Sequence, residues 1–313
     1  METDLLKQGN SKGEPSAESR GPASKQWASG PAFFRAPRVP RPVTRWALLL
    51  EYDGAGFAGW QRQPGQPTVQ AVLEAAASHL AGGAAVASVA AGRTDAGVHA
   101  SGQVAHLDLA REIGAERLAD ALNFHLRPHR VAVLRAAPVA GDWSARFSAT
   151  ARSYRYTILE RRARPALADG RVWHQPHPLD AAAMGRAARS LLGRHDFTSF
   201  RAASCQASGP LRTLDRLDVV RQGERIEFVV EARSFLHHQV RNMVGTLRLV
   251  GTGAWDEHAV ARVLAARDRA AAGPTAPACG LCLTGVRYAE AVFGGAEAPP
   301  PDAAGGLASG SLP

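Results

Sequence analysis

In the stretch AGRTDAGVHA, residues 91–100, Gly92 and Gly97 flank Arg93, Thr94 and Asp95. Glycine lets a backbone turn sharply or a ligand come close, and the single carboxylate sits at the apex of this loop, where it could carry chemistry. The same composition also describes a turn former with a solvated charge. Apolar residues at 86–90 enter the loop and an alternating segment at 103–109 leaves it, which predicts strand, loop, strand.

A second segment, FLHHQVRNMVG, supplies a partner for that carboxylate. Its periodicity predicts a helix over 235–250, with an apolar stripe at Leu236, Val240, Met243, Val244, Leu247 and Val250. His237, Arg241 and Arg248 fall on the polar face, and Gly245, one turn beyond Arg241, leaves room for something to approach it. Arg241 adjoins the apolar stripe, where an unpaired guanidinium is costly, so a buried carboxylate is expected against it. Asp95 is the candidate. A carboxylate paired to arginine stays ionised, which suits a nucleophile better than a general acid.

Other chemistries fit less well. His237 and His238 are adjacent, and neighbouring residues on a helix point about 100° apart. With no HExxH spacing either, no metal site is expected. There is no GxSxG elbow for a serine hydrolase, and the loop offers one carboxylate where glycoside hydrolysis uses two. Cys279 and Cys282 form a CxxC with apolar neighbours and no second ligand pair, which reads as packing.

The elements that must position these residues read in order. A strand at 46–52 leads into a glycine-rich loop at 53–68 and a helix carrying Val69, Val72, Leu73, Ala76 and Leu80. A second helix is expected at 115–125 and a strand at 131–139. Residues 152–159 alternate, with Tyr154, Tyr156 and Ile158 on one face. A helix at 180–192, a hairpin of 214–221 with 226–233, a helix at 257–266 and a strand at 281–288 complete the pattern. The expected organisation is a disordered basic N-terminal arm (1–44), an α+β half carrying the Asp95 loop (45–150), a second α+β half (151–293) and a disordered, low-complexity tail (294–313).

Bulk properties bound the partners. The chain has 313 residues, 45% of them hydrophobic, and no apolar run of transmembrane length. No signal peptide is visible and the three cysteines are an odd number, so a cytoplasmic, reducing location is expected. Of the net charge of +9, residues 46–293 carry +7, and all three lysines lie in the leading arm. A lysine Schiff base or P-loop lysine is thereby excluded from the body, and its cations other than histidine are arginines, which match phosphates bidentately. This suits a nucleic-acid partner, although a GC-rich genome also favours arginine over lysine without functional pressure.

Five blocks together, EYDGAGFAGWQRQ, GRTDAGVHASGQV, RFSATARSYRY, DFTSFRA and FLHHQVRNMVG, resemble the bacterial tRNA pseudouridine synthases of the TruA family, in order and from residue 46 to about 293. The resemblance implies a fold of two similar α+β halves joined in one mostly antiparallel sheet beneath a basic central cleft. It implies an isomerase, acting as a cofactor-free homodimer, that converts uridine to pseudouridine at positions 38, 39 and 40 of the tRNA anticodon stem and loop. Matched motif by motif, Asp95 would be the nucleophile, Arg241 its ion-pair partner, Tyr154 the residue packed on the target uracil and Arg93 an aid to base flipping. The alternative is a noncatalytic tRNA-binding or folding protein that kept the cleft and lost turnover.

Overall fold

The computed structural model describes residues 42–294. The arm and tail expected at 1–44 and 294–313 lie outside the described residues, apart from 42–44 and 294. Strand β1 (Thr44–Tyr52) buries Trp46, Leu48, Leu50 and Tyr52, the alternate residues of a pleated strand. After the glycine-rich loop comes α1 (Val69–Leu80), capped by the Thr68 hydroxyl, which accepts from the Ala71 amide at 3.3 Å. Strands β2 (Ser88–Ala90) and β3 (His99–Leu109) flank the Asp95 loop, followed by α2 (Ala115–Leu126) and β4 (Val131–Val139).

Strand β5 (Ala149–Glu160) opens a second run of elements. Short β6 (Trp173–Gln175) precedes α3 (Ala181–Ala188), whose first turn is capped by the Asp180 carboxylate. Strand β7 (Gly193–Asp196) leads to the hairpin β8 (Leu211–Gln222) and β9 (Arg225–Ala232), which turns through Gly223 at φ +58°. Helices α4 (Gln239–Gly251) and α5 (Ala259–Ala266) and strand β10 (Leu281–Tyr288) close the fold. The apolar stripe of α4 is buried in one core with Tyr156, Ile158 and Phe228, each such side chain contributing about 1.5–3 kcal/mol.

The fold is α+β, with one large and mostly antiparallel sheet in the order β4-β1-β3-β10-β5-β9-β8-β7; β2 also pairs with β3, and β6 with β5. Among the described residues only β10 with β3 and β5 with β6 run parallel. Strand β10 is the seam. It sets Leu283 opposite Ala100 on one side and Tyr154 on the other, so the strand that leaves the Asp95 loop and the strand carrying Tyr154 lie two positions apart in the sheet. Residues distant in sequence are thus brought to one line.

Several boundaries differ from the sequence reading. The apolar run at 86–90 yields only three strand residues, and β3 begins at His99 rather than at residue 103, which shortens the loop to 91–98. The 180–192 helix divides into α3 and a 3-10 turn at Arg189–Leu191, and α5 starts two residues later than expected. Strands β6 and β7 carry no alternation long enough to read. The three cysteines are free, and burial pushes the thiols of Cys279 and Cys282 up, as packing residues require. Among the described residues no helix is long and apolar enough to cross a membrane.

Candidate active site

The Asp95 loop is held by its neighbours through the backbone. Tyr52 Oη and Thr94 Oγ1 share a hydrogen bond of 2.8 Å, the Trp60 amide donates to the Thr94 carbonyl at 3.0 Å, and the Gly97 amide donates to the Phe57 carbonyl at 3.2 Å. The Val98 amide donates to the Asp95 carbonyl at 3.1 Å and closes the turn on which Asp95 sits. The glycines of the 53–68 loop have a specific task here. A Cβ on Gly54 would lie 2.1 Å from the Val98 carbonyl oxygen, and one on Gly59, at φ +97°, would lie 2.6 Å from that of Thr94. Only backbone without side chains can approach this closely.

Opposite the loop stands the segment expected to open a helix at residue 235. Helix α4 instead begins at Gln239, and residues 235–238 lie outside it, with a turn at His237 and His238. His238 is in the left-handed region at φ +63°, the His237 carbonyl accepts from the Ala202 amide at 3.0 Å, and Gln239 Oε1 accepts from the Leu236 amide at 2.8 Å. The expectation that His237 and Arg241 share a helical face is therefore corrected, and so is the divergence of the two histidines. Their ring centroids lie 4.0 Å apart. His237 Nε2 is 3.3 Å from Asp95 Oδ1 and His238 Nε2 is 3.4 Å from Asp95 Oδ2.

Arg241 Nη1 donates to Asp95 Oδ2 at 3.2 Å, the carboxylate contact expected from the cost of burying a guanidinium beside an apolar stripe. Its Nε donates to the Ala276 carbonyl at 2.8 Å, which fixes the fork. Gly245 serves packing, not ligand approach to Arg241, because its missing Cβ makes way for the Pro274 carbonyl, 1.8 Å from where that atom would stand. Burial pushes the His238 imidazole down despite the opposing pull of Asp95, so it is held neutral near pH 7. Asp95, His237 and His238 offer three ligand atoms within 4.8 Å of one another, a donor set of the kind that holds a transition metal. Arg241 already supplies positive charge to the same carboxylate oxygen.

Tyr154 lies beneath the loop. A Cβ on Gly92 would be 3.9 Å from its hydroxyl, and its ring packs edge-on against Phe235 with centroids 5.2 Å apart. Burial pushes its phenol up, so the hydroxyl stays protonated. Arg93, two residues before Asp95 on the same loop, is exposed. All four residues singled out from sequence, Asp95, Arg241, Tyr154 and Arg93, line one cavity of about 1260 Å³. Among the described residues six arginines line it, and Asp95 is its only acidic residue.

Two features escaped the sequence reading. One is the histidine pair, which a helix would splay; nothing in the apolar stripe announces the left-handed residue that prevents this. The other is Arg152, which is 8% exposed and spends all five donors on backbone carbonyls. It reaches Ala91 at 2.7 and 3.2 Å, Arg146 at 2.6 Å, Ala149 at 3.3 Å and Arg233 at 2.7 Å. One buried side chain thereby ties the entry to the Asp95 loop to two other segments of the cavity wall.

Similarity to known proteins places the chain in a class. A family model described as tRNA pseudouridine synthase matches residues 49–148 and 187–289, which include Arg93, Asp95 and Arg241 and leave Tyr154 between the matched segments. The chain belongs to the tRNA pseudouridine synthase family, whose members are isomerases. More particularly, it is similar to proteins named tRNA pseudouridine synthase A. That of Acidiphilium cryptum is 66% identical over 247 residues, covering 79% of this chain and 97% of the relative. Those of Methylobacterium nodulans and Gluconobacter oxydans are 60% and 54% identical, covering 80% and 81% of this chain and 98% and 93% of their own lengths.

Proposed function

We propose that this protein isomerises uridine to pseudouridine at positions 38, 39 and 40 of the tRNA anticodon stem and loop, with Asp95 as the nucleophile. The observation that carries the reading is that, among the described residues, Asp95 is the single carboxylate in a cavity lined by six arginines. At about 1260 Å³ the cavity exceeds the roughly 300–1,000 Å³ typical of small-molecule pockets, and its arginines suit a phosphate backbone. The family membership and the names of the relatives favour tRNA as that polyanion.

The reaction breaks the bond from N1 to C1′, turns the uracil and bonds C5 to C1′. A proton leaves C5 and one arrives at N1, so nothing is oxidised, reduced or hydrolysed and the chemistry asks for no redox cofactor. An ionised Asp95 can hold the detached fragment covalently while the base turns, and Arg241 keeps the carboxylate charged and oriented. Taking the target base out of the stack costs a few kcal/mol. Tyr154 offsets part of this by packing on the uracil, and Arg93, exposed on the loop, fills the space the base leaves. The resemblance also leads us to propose a homodimer acting in the cytoplasm.

The test is to map pseudouridine in tRNA from a strain lacking the gene, and in an unmodified tRNA transcript treated with the purified protein. Loss at 38–40 in the strain and its restoration in vitro are expected. Unchanged anticodon arms contradict the substrate assignment. Tight tRNA binding without turnover by the wild type contradicts the enzyme.

A further inference from the structure

Phe147 is a large apolar side chain left in the open at the rim of the Asp95 cavity. It is 76% exposed, whereas the other cavity aromatics, Trp60, Tyr154 and Phe235, are packed into the fold. Exposing a phenylalanine forgoes about 1.5–3 kcal/mol of burial. The loop that presents it is fastened on both sides of the ring. The buried Arg152 binds the Arg146 and Ala149 carbonyls, Tyr288 Oη donates to the Ala145 carbonyl at 2.8 Å, and the Ala145 amide donates to His106 Nδ1 at 3.1 Å. The ring is therefore displayed on a rigid support. Because the same Arg152 holds the Ala91 carbonyl, the distance from this support to the Asp95 loop is set as well.

The chemistry at the ring points to its ligand. The Arg146 guanidinium lies over the Phe147 ring at 5.4 Å, so one face carries a cation and the other remains for a planar group. An aromatic face beside an arginine, on a cavity lined by six arginines, is the pairing that binds an unstacked nucleotide. We propose that Phe147 is a stacking subsite for a nucleobase next to the one that is isomerised, with Arg146 on the adjoining phosphate. Extruding the target base strips its neighbours of a stacking partner, and Phe147 restores one. This inference rests on the proposed RNA substrate and adds a second base to it.

The experiment measures Kd for an unmodified tRNA transcript, kcat and KM for wild type, Phe147→Ala, Phe147→Leu and Phe147→Trp. Phe124→Ala is the control, since Phe124 is comparably exposed, at 72%, but does not line the cavity. Stacking worth 1–3 kcal/mol per base corresponds to about a 5- to 150-fold rise in Kd for the Ala and Leu variants. Trp is expected to stay within about threefold of wild type, and Phe124→Ala within about twofold. A stem-loop with 2-aminopurine beside the target uridine gives a readout that general destabilisation does not move. Its quenching on binding is expected with Phe and Trp and lost with Leu, at unchanged Tm. Wild-type Kd and quenching in Phe147→Leu overturn the subsite. If the wild type binds tRNA but forms no pseudouridine, the enzymatic reading fails while Kd and quenching still decide on Phe147. If it does not bind RNA at all, both fall.

Discussion

Two aspartates in this molecule, Asp53 and Asp95, have nearly the same company and opposite circumstances. Asp53, at the end of β1, accepts from Arg130 Nη1 at 2.7 Å, Arg171 Nη2 at 3.2 Å and the Ala55 amide at 3.0 Å, with His99 Nδ1 at 3.1 Å. Asp95 has one arginine and two histidines at 3.2 to 3.4 Å. Residue types alone do not distinguish the two. The Asp53 side chain is 9% exposed and its partners reach it from three segments, with two arginine heads turned to solvent. Its carboxylate is consumed as a staple. The Asp95 side chain is 20% exposed, faces the cavity, and draws its partners from residues 237–241 on the opposite wall. Under the proposed mechanism reactivity is a matter of access: similar contacts finish one carboxylate and orient the other.

Removing the guanidinium from the Asp95 side has the largest effect short of removing Asp95 itself. Arg241→Ala leaves a half-buried carboxylate without its fixed charge partner and is expected to lower kcat by about 10²–10³-fold, the scale of losing one preorganised electrostatic contact. KM should move much less. A fall in KM-controlled binding with kcat preserved would assign Arg241 to the substrate and not to Asp95.

Asp53→Asn is expected to act on stability alone. Losing charge-assisted hydrogen bonds to partly solvated arginines costs on the order of 1–2 kcal/mol, or about 2–8 °C in Tm, with kcat within about threefold. The pH dependence carries a sign. Burial alone would push the Asp53 carboxyl up, but the Ala55 amide, Arg130, His99 and Arg171 together hold it below the ordinary carboxylate range. Its contribution is thus complete above about pH 4 and fades as pH falls through the lowered folded value. Thermal melts between pH 2 and 7 should show less acid-side loss in Asp53→Asn than in wild type. Parallel curves would mean that Asp53 is not the staple. The smallest effect belongs to an ion pair outside both sites. Arg186 and Glu257 join α3 to the start of α5 in full contact with solvent, and Arg186→Ala should leave both Tm and kcat unchanged within measurement.

Asp95, Arg241 and the order of the main elements were legible in the sequence because their causes are local. Periodicity marks β5 and α4, and an arginine at the margin of an apolar stripe requires a carboxylate. The histidine pair was not, because one left-handed residue, His238, separates a turn from a helix that the stripe would join. Gly54 and Gly59 were recognisable as turn formers but not as clearance for the Val98 and Thr94 carbonyls, since a backbone oxygen has no residue type to read. Asp53 failed to announce itself for the same reason that separates it from Asp95. Enclosure is a property of three segments at once, and sequence spacing is silent on it.

The central claim, that access and not company makes Asp95 the reactive carboxylate, is tested most directly by single-turnover pseudouridine formation in a tRNA transcript by Asp95→Asn and Asp53→Asn, with tRNA Kd measured on the same preparations. The expected result is that Asp95→Asn binds within a few-fold of wild type and forms product at least about 10³-fold more slowly, a loss on the scale of deleting a nucleophile, while Asp53→Asn turns over at close to the wild-type rate. Product formed by Asp95→Asn at a rate near wild type, or equal losses in the two variants, would contradict it.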